Sequence, residues 1–267
     1  MPEASQQPST RRANPLIAFL AAVQFLTLTP PFVRRLFTPA EMGASVGFYP
    51  LVGALLGGLL FLVDLLLALF LPTLPRSALL LAVWVILTGA LHLDGFLDSC
   101  DGLLGGYTPE SRLEIMRDER VGAYALAGGV LLLLLKFSAL ASLAENLPAR
   151  LLLCALLLSP TLGRWAISLA LVASPYARPQ GLGYDLKRHA TWRQALLASL
   201  FTLLLTLALA WYSANWMLCL APVFAALVAW LAARFALQRL PGLTGDLYGA
   251  INELVEAAVL LALVIIL

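Results

Sequence analysis

Long apolar runs, broken by short polar connections, occupy most of the chain. A helix rises 1.5 Å per residue, so about 20 apolar residues cross a bilayer. That length predicts spans at 47–71, 77–95, 122–144, 149–172, 194–213, 215–235 and 253–267. The stretch from Pro15 to Thr29 is shorter, contains Gln24 and Thr27 and stops at Pro30-Pro31. It suits an interfacial or re-entrant helix, and crossing fully it would make an eighth span. The expectation is an all-α polytopic transmembrane bundle of about seven spans, six to eight, preceded by an N-terminal interfacial helix. Residues 1–46 form the N-terminal segment and 47–267 the transmembrane domain.

Composition agrees with this reading. Of the 267 residues 61% are hydrophobic and 12% charged, against roughly 25% charged in soluble domains. A net charge of +2 gives no electrostatic footprint for nucleic acid. Cys100, Cys154 and Cys219 are far apart with no C-x-x-C spacing, so neither a zinc site nor a disulfide framework is expected. The polar stretch Met1 to Asn14 is followed by an apolar run without an A-x-A-like cleavage site, which argues against a removable signal peptide.

Basic residues are distributed unevenly. The N-terminus and the long connections 96–121, 173–193 and 236–252 carry most of the arginine and lysine, whereas the short connections at 72–76, 145–148 and 213–215 are flanked only by Arg76 and Arg150. The positive-inside rule then puts the N-terminus and the long loops in the cytoplasm.

Asp64, Lys136 and Arg164 fall well inside predicted spans. Charge in lipid needs a partner, and the simplest reading of Asp64 and Lys136 is a structural pair. Arg164, just after a Ser159-Pro160 break, points instead to function.

The chemistry concentrates at the end of the second span, in Leu91-His92-Leu93-Asp94-Gly95-Phe96-Leu97-Asp98-Ser99-Cys100-Asp101-Gly102. The acids recur at i, i+4 and i+7, which a continuous helix places within an arc of about 60°. Three carboxylates so close repel unless something positive lies between them. An all-oxygen ligand set favours magnesium, manganese or calcium, and magnesium suits phosphate substrates best. Gly95 and Gly102 would let a ligand or another helix approach the backbone, and His92 projects to the opposite side. Thr108-Pro109-Glu110 then reads as a helix start. Arg112, Arg117 and Arg120 follow, of which one or two could clamp phosphates and the rest form surface salt bridges.

A second polar island, Gly242 to Glu256, places Asp246 and Glu253 on one helical face and Glu256 a turn deeper. Glu256 is either functional or the partner of Lys136 or Arg164.

These residues resemble the cobalamin synthase family of membrane enzymes. The likeness rests on Leu91-His92-Leu93-Asp94-Gly95-x-x-Asp98-x-x-Asp101-Gly102-Leu103, on Leu113 to Gly122, and on Leu243-Thr244-Gly245-Asp246-x-x-Gly249-Ala250-x-Asn252-Glu253. It extends to Gln24-Phe25-Leu26-Thr27, Tyr49-Pro50-Leu51-Val52-Gly53, Ser159-Pro160 and Gly163-Arg164. The resemblance implies that a hydroxyl of alpha-ribazole, or of its 5′-phosphate, attacks the cobinamide-linked phosphate of adenosylcobinamide-GDP and that GMP leaves. It further implies that Asp94, Asp98 and Asp101 hold Mg2+, with Asp98 or Asp101 accepting the proton. Arg117, Arg120, Arg164, Asp246, Asn252 and Glu253 would contact substrate.

Two rivals are weaker. A CDP-alcohol phosphotransferase wants Asp-Gly-x-x-Ala-Arg, and here Asp94-Gly95-x-x-Asp98-Ser99 lacks the arginine. A transporter would place its acids at mid-bilayer and show paired halves. The sequence leaves the oligomeric state open, homo-oligomers included.

Overall fold

The computed structural model describes residues 14–267, so Arg11 and Arg12 lie outside the described residues. The regular structure described is helical: α1 (Pro15–Leu26), α2 (Pro39–Ser45), α3 (Tyr49–Leu67), α4 (Thr73–Leu87), α5 (Leu91–Gly105), α6 (Pro109–Ile115), α7 (Ala123–Asn146), α8 (Ala149–Ala173), α9 (Leu182–His189), α10 (Trp192–Ser213), α11 (Leu220–Leu237) and α12 (Gly245–Ile266). Among the described residues six helical segments are long and apolar enough to cross a membrane, and seven if α4 and α5 are one broken span. Leu62, Leu131, Leu203 and Leu227 stand exposed on the outside of the bundle, as a lipid-facing surface requires. The short, apolar α1 stops at Leu26, as the sequence predicts for a helix that does not span.

The core forms where α8 packs between α3 and α12. A Cβ built on Gly57 would stand 2.1 Å from the Leu156 carbonyl oxygen, and one on Gly53 would stand 2.4 Å from that of Pro160. The two backbones therefore touch, the device by which membrane helices gain packing when lipid offers no hydrophobic drive between them.

Four expectations need correction. The predicted span 77–95 ends at Leu87, because Gly89 (φ 57°) and Ala90 (φ 55°) both adopt the left-handed conformation and turn the chain by 89°. The aspartates thus lie on a separate helix, α5. The last helix starts at Gly245, eight residues before the predicted 253, because Thr244 caps it and accepts from the Leu247 amide at 3.3 Å. No break occurs before Arg164, since α8 runs unbroken through Pro160. Finally, Asp64 does not pair with Lys136. It lies 3.3 Å from Arg76, while Lys136 turns to α12.

Long-range links gather the long polar connections at one end of the bundle. The Asp101 carboxylate accepts from the amides of Gly122 and Ala125 at the start of α7. Arg112 donates to the Arg239 carbonyl, and residues 175–177 pair with Leu243 in a parallel bridge. The aspartate helix is part of this end.

Candidate active site

Two close crossings fix α5. Toward α12, a Cβ on Gly95 would lie 2.8 Å from the Asp246 carbonyl oxygen, and one on Gly249 would lie 2.9 Å from that of His92. Toward α6, a Cβ on Gly102 would lie 2.8 Å from the Arg112 carbonyl oxygen. At Gly95 and Gly102 the close neighbour is another helix.

α6 forms where Thr108-Pro109 predicts it. The Thr108 hydroxyl accepts from the Ser111 amide at 3.2 Å, and the Ser111 hydroxyl completes the cap by accepting from the Thr108 amide. The loop that follows folds Arg117 to Val121 back over α5.

The result is a cavity of about 250 Å³ lined by Asp94, Asp98, Asp101, Arg117, Asp118 and Arg120, among others. The three predicted acids do share one cavity, and two predicted arginines face it. Their environments differ. Asp101 uses its two oxygens to accept from Gly122 at 2.6 Å and Ala125 at 2.9 Å, so it caps α7 as well as facing the cavity. Arg120 grips Asp118 at 2.5 Å on the surface, and this guanidinium holds the Asp118 carboxyl down at about 2. Arg117 is exposed and also lines a neighbouring cavity with Arg178.

Asp246 joins the group from α12. Asp98 is within electrostatic reach of Asp94, Asp101 and Asp246, and also of Arg178. Arg178 donates to Asp246 at 2.7 Å and was singled out by no sequence motif. It reaches Asp246 because the Ala177 amide donates to the Leu243 carbonyl at 2.8 Å, which lays its loop over the first turn of α12. A Cβ on Gly242 would stand 2.6 Å from the Tyr176 carbonyl carbon, so this contact needs a glycine. Among the described residues, no three histidine, cysteine or acidic side chains converge closely enough to hold a metal ion by themselves.

The remaining predicted residues lie elsewhere. Arg164, Asn252 and Glu253 are buried inside the bundle and do not line the acidic cavity. Glu256 pairs with both Arg164 and Lys136, and Lys136 is 2.6 Å from Glu253 and 4.7 Å from the centre of the Trp84 ring. The anticipated partnership of Glu256 thus involves both bases. His92 faces this network from the opposite side of α5, its Nδ1 3.5 Å from an Arg164 nitrogen. Neither amide atom of Asn252 has a hydrogen-bond partner among the described residues.

Fold and site together define a polytopic helical membrane protein with an acidic, arginine-edged cavity at one end of its bundle. The chain belongs to the cobalamin-5-phosphate synthase family, whose model matches residues 18–264. It is 45% identical over 250 residues to an adenosylcobinamide-GDP ribazoletransferase of Stutzerimonas stutzeri (strain A1501), covering 93% of this chain and 98% of the relative. The relative of the same name from Desulfitobacterium hafniense (strain Y51) is 43% identical over 240 residues, covering 90% and 93%. No solved structure matches the chain.

Proposed function

We propose that the protein joins alpha-ribazole, or its 5′-phosphate, to adenosylcobinamide-GDP with release of GMP, the last stage of cobalamin nucleotide-loop assembly. Family membership supports the reaction. The observation that carries the mechanism is the single cavity shared by Asp94, Asp98, Asp101 and Arg117. Transfer at a phosphate requires positioning and charge neutralisation more than a covalent role for the protein.

The donor set fits magnesium. Among the described residues, the Asp94 and Asp98 carboxylate oxygens make no hydrogen bond, and Asp101 keeps lone pairs beyond its two capping bonds. Magnesium holds several waters and takes one or two carboxylates together with phosphate oxygens, so three converging protein ligands are unnecessary. When bound, it would neutralise the diphosphate. Asp94, Asp98 and Asp101 would hold it.

The protein's own groups then have separate tasks. Arg117 binds the diphosphate from across the cavity, with Arg120 beside it once released from Asp118. An Asp98 oxygen accepts the proton of the attacking ribazole hydroxyl, a role Asp101 can share through the lone pairs its two capping bonds leave free. The new P–O bond joins ribazole to the cobinamide phosphate, and the bond to GMP breaks. Arg178 neutralises Asp246 and so limits repulsion at Asp94 and Asp98. The site faces the cytoplasm across the bacterial inner membrane, with the basic loops on that side.

Purified protein in lipid, given adenosylcobinamide-GDP, alpha-ribazole and magnesium, should release GMP in amounts equal to the cobalamin formed. GMP without cobalamin, or neither product, rejects this reading.

A further inference from the structure

A second cavity adjoins the acidic one and shares Asp94 with it. It measures about 220 Å³ and is lined chiefly by apolar side chains, among them Ile167, Leu171 and Leu186, with Tyr49 and Tyr248. Asp94 and Asp246 also line it. Both tyrosines are at least nine-tenths buried, at 1% and 4% exposure; the Tyr49 hydroxyl has the Ser45 side chain beside it, whereas the Tyr248 hydroxyl has no hydrogen-bond partner among the described residues. A buried phenol without a partner is destabilised relative to one that is satisfied, so the unpaired Tyr248 hydroxyl in an apolar chamber points to a ligand that carries polar atoms on an apolar body.

Charge and size narrow the class. Carboxylates at the edge repel phosphate and accept hydrogen bonds from hydroxyls. The volume equals about seven liquid waters at roughly 30 Å³ each, which suits a two-ring heterocycle and is too small for a tetrapyrrole. Guanine would bury several donors and acceptors against apolar walls that leave most of them unsatisfied. The base of ribazole is a methylated benzimidazole, flat and apolar apart from its ring nitrogens.

We infer that this chamber receives the heteroaromatic base of the acceptor nucleoside, with its ribose hydroxyls directed to the Asp94 and Asp246 edge. This rests on the transferase reading above. The acceptor then enters from one side of Asp94 and the diphosphate from the other, so that the hydroxyl and the phosphate meet at that residue. Tyr248 is a specificity residue whose hydroxyl donates to the one base nitrogen that keeps a lone pair, and Tyr49 forms part of the wall.

The test uses the full chain in lipid nanodiscs. In the wild-type protein, free dimethylbenzimidazole should compete with alpha-ribazole and not with adenosylcobinamide-GDP. Filling the chamber by Ile167→Trp or Leu171→Trp should raise the KM for ribazole about tenfold or more, with the donor KM within about twofold. Tyr248→Phe should raise the ribazole KM about threefold or more on the same criterion. Competition against the donor, or an unchanged ribazole KM in both tryptophan variants, overturns the assignment while leaving the transferase reading intact. Wild-type protein that releases no GMP overturns both.

Discussion

Gly249 on α12 faces Gly95 on α5 so closely that a Cβ on Gly249 would lie 3.4 Å from the Gly95 Cα. This contact sets the distance between Asp246 and the aspartates of α5. Gly95→Ala would place a methyl 2.8 Å from the Asp246 carbonyl oxygen and push the helices apart. Overpacking of this kind costs about 1–3 kcal/mol. Its rate of GMP release should fall about tenfold or more, more than the loss of thermal stability explains. Wild-type turnover in this variant would show that the crossing does not position the site.

Asp94→Asn and Asp98→Asn should each lower GMP release by about a hundredfold or more, with insertion and thermal unfolding unchanged. Asp101→Asn differs, because one of its two capping oxygens becomes an amide donor. It should lose about 0.5–2 kcal/mol of stability in addition to activity. Near-normal turnover in any two of the three variants rejects the proposed metal site.

Chelation offers an independent check. Exhaustive treatment with EDTA should stop turnover, and magnesium should restore it, whereas zinc, which prefers nitrogen and sulfur ligands, should not. Full activity in the chelated protein would remove the ion from the mechanism.

Lys136 neutralises Glu253 and Glu256 within the bundle, and Arg164 adds a second base to Glu256. Lys136→Met would leave two buried acids with one base, a change of about 3–5 kcal/mol. Thermal unfolding in detergent should show a marked drop. Restoring balance in Lys136→Met with Glu253→Gln should recover part of it. Equal stability of the single and double variants would mean that these charges are not coupled.

The spans and the start of α6 were legible in the sequence because length, apolar composition and Thr108-Pro109 act locally. The aspartate cluster was legible for the same reason, since i, i+4 and i+7 describe a face of any helix. The turn at Gly89-Ala90 was not, because an alanine in the left-handed region carries no sequence signal. Partner choice was equally hidden. Asp64 meets Arg76 and Lys136 meets Glu253 only because of how α3, α4, α7 and α12 pack. Arg178 looked like any other basic loop residue until the bridge to Leu243 laid it over Asp246.

The right-angled turn between α4 and α5 gives the acid spacing a direction. Seven residues of helix extend about 10 Å, and along α5 that length is measured sideways to α4. Asp94, Asp98 and Asp101 are therefore spread crosswise to α4, and the acidic face they form runs at a right angle to the helix that leads into it.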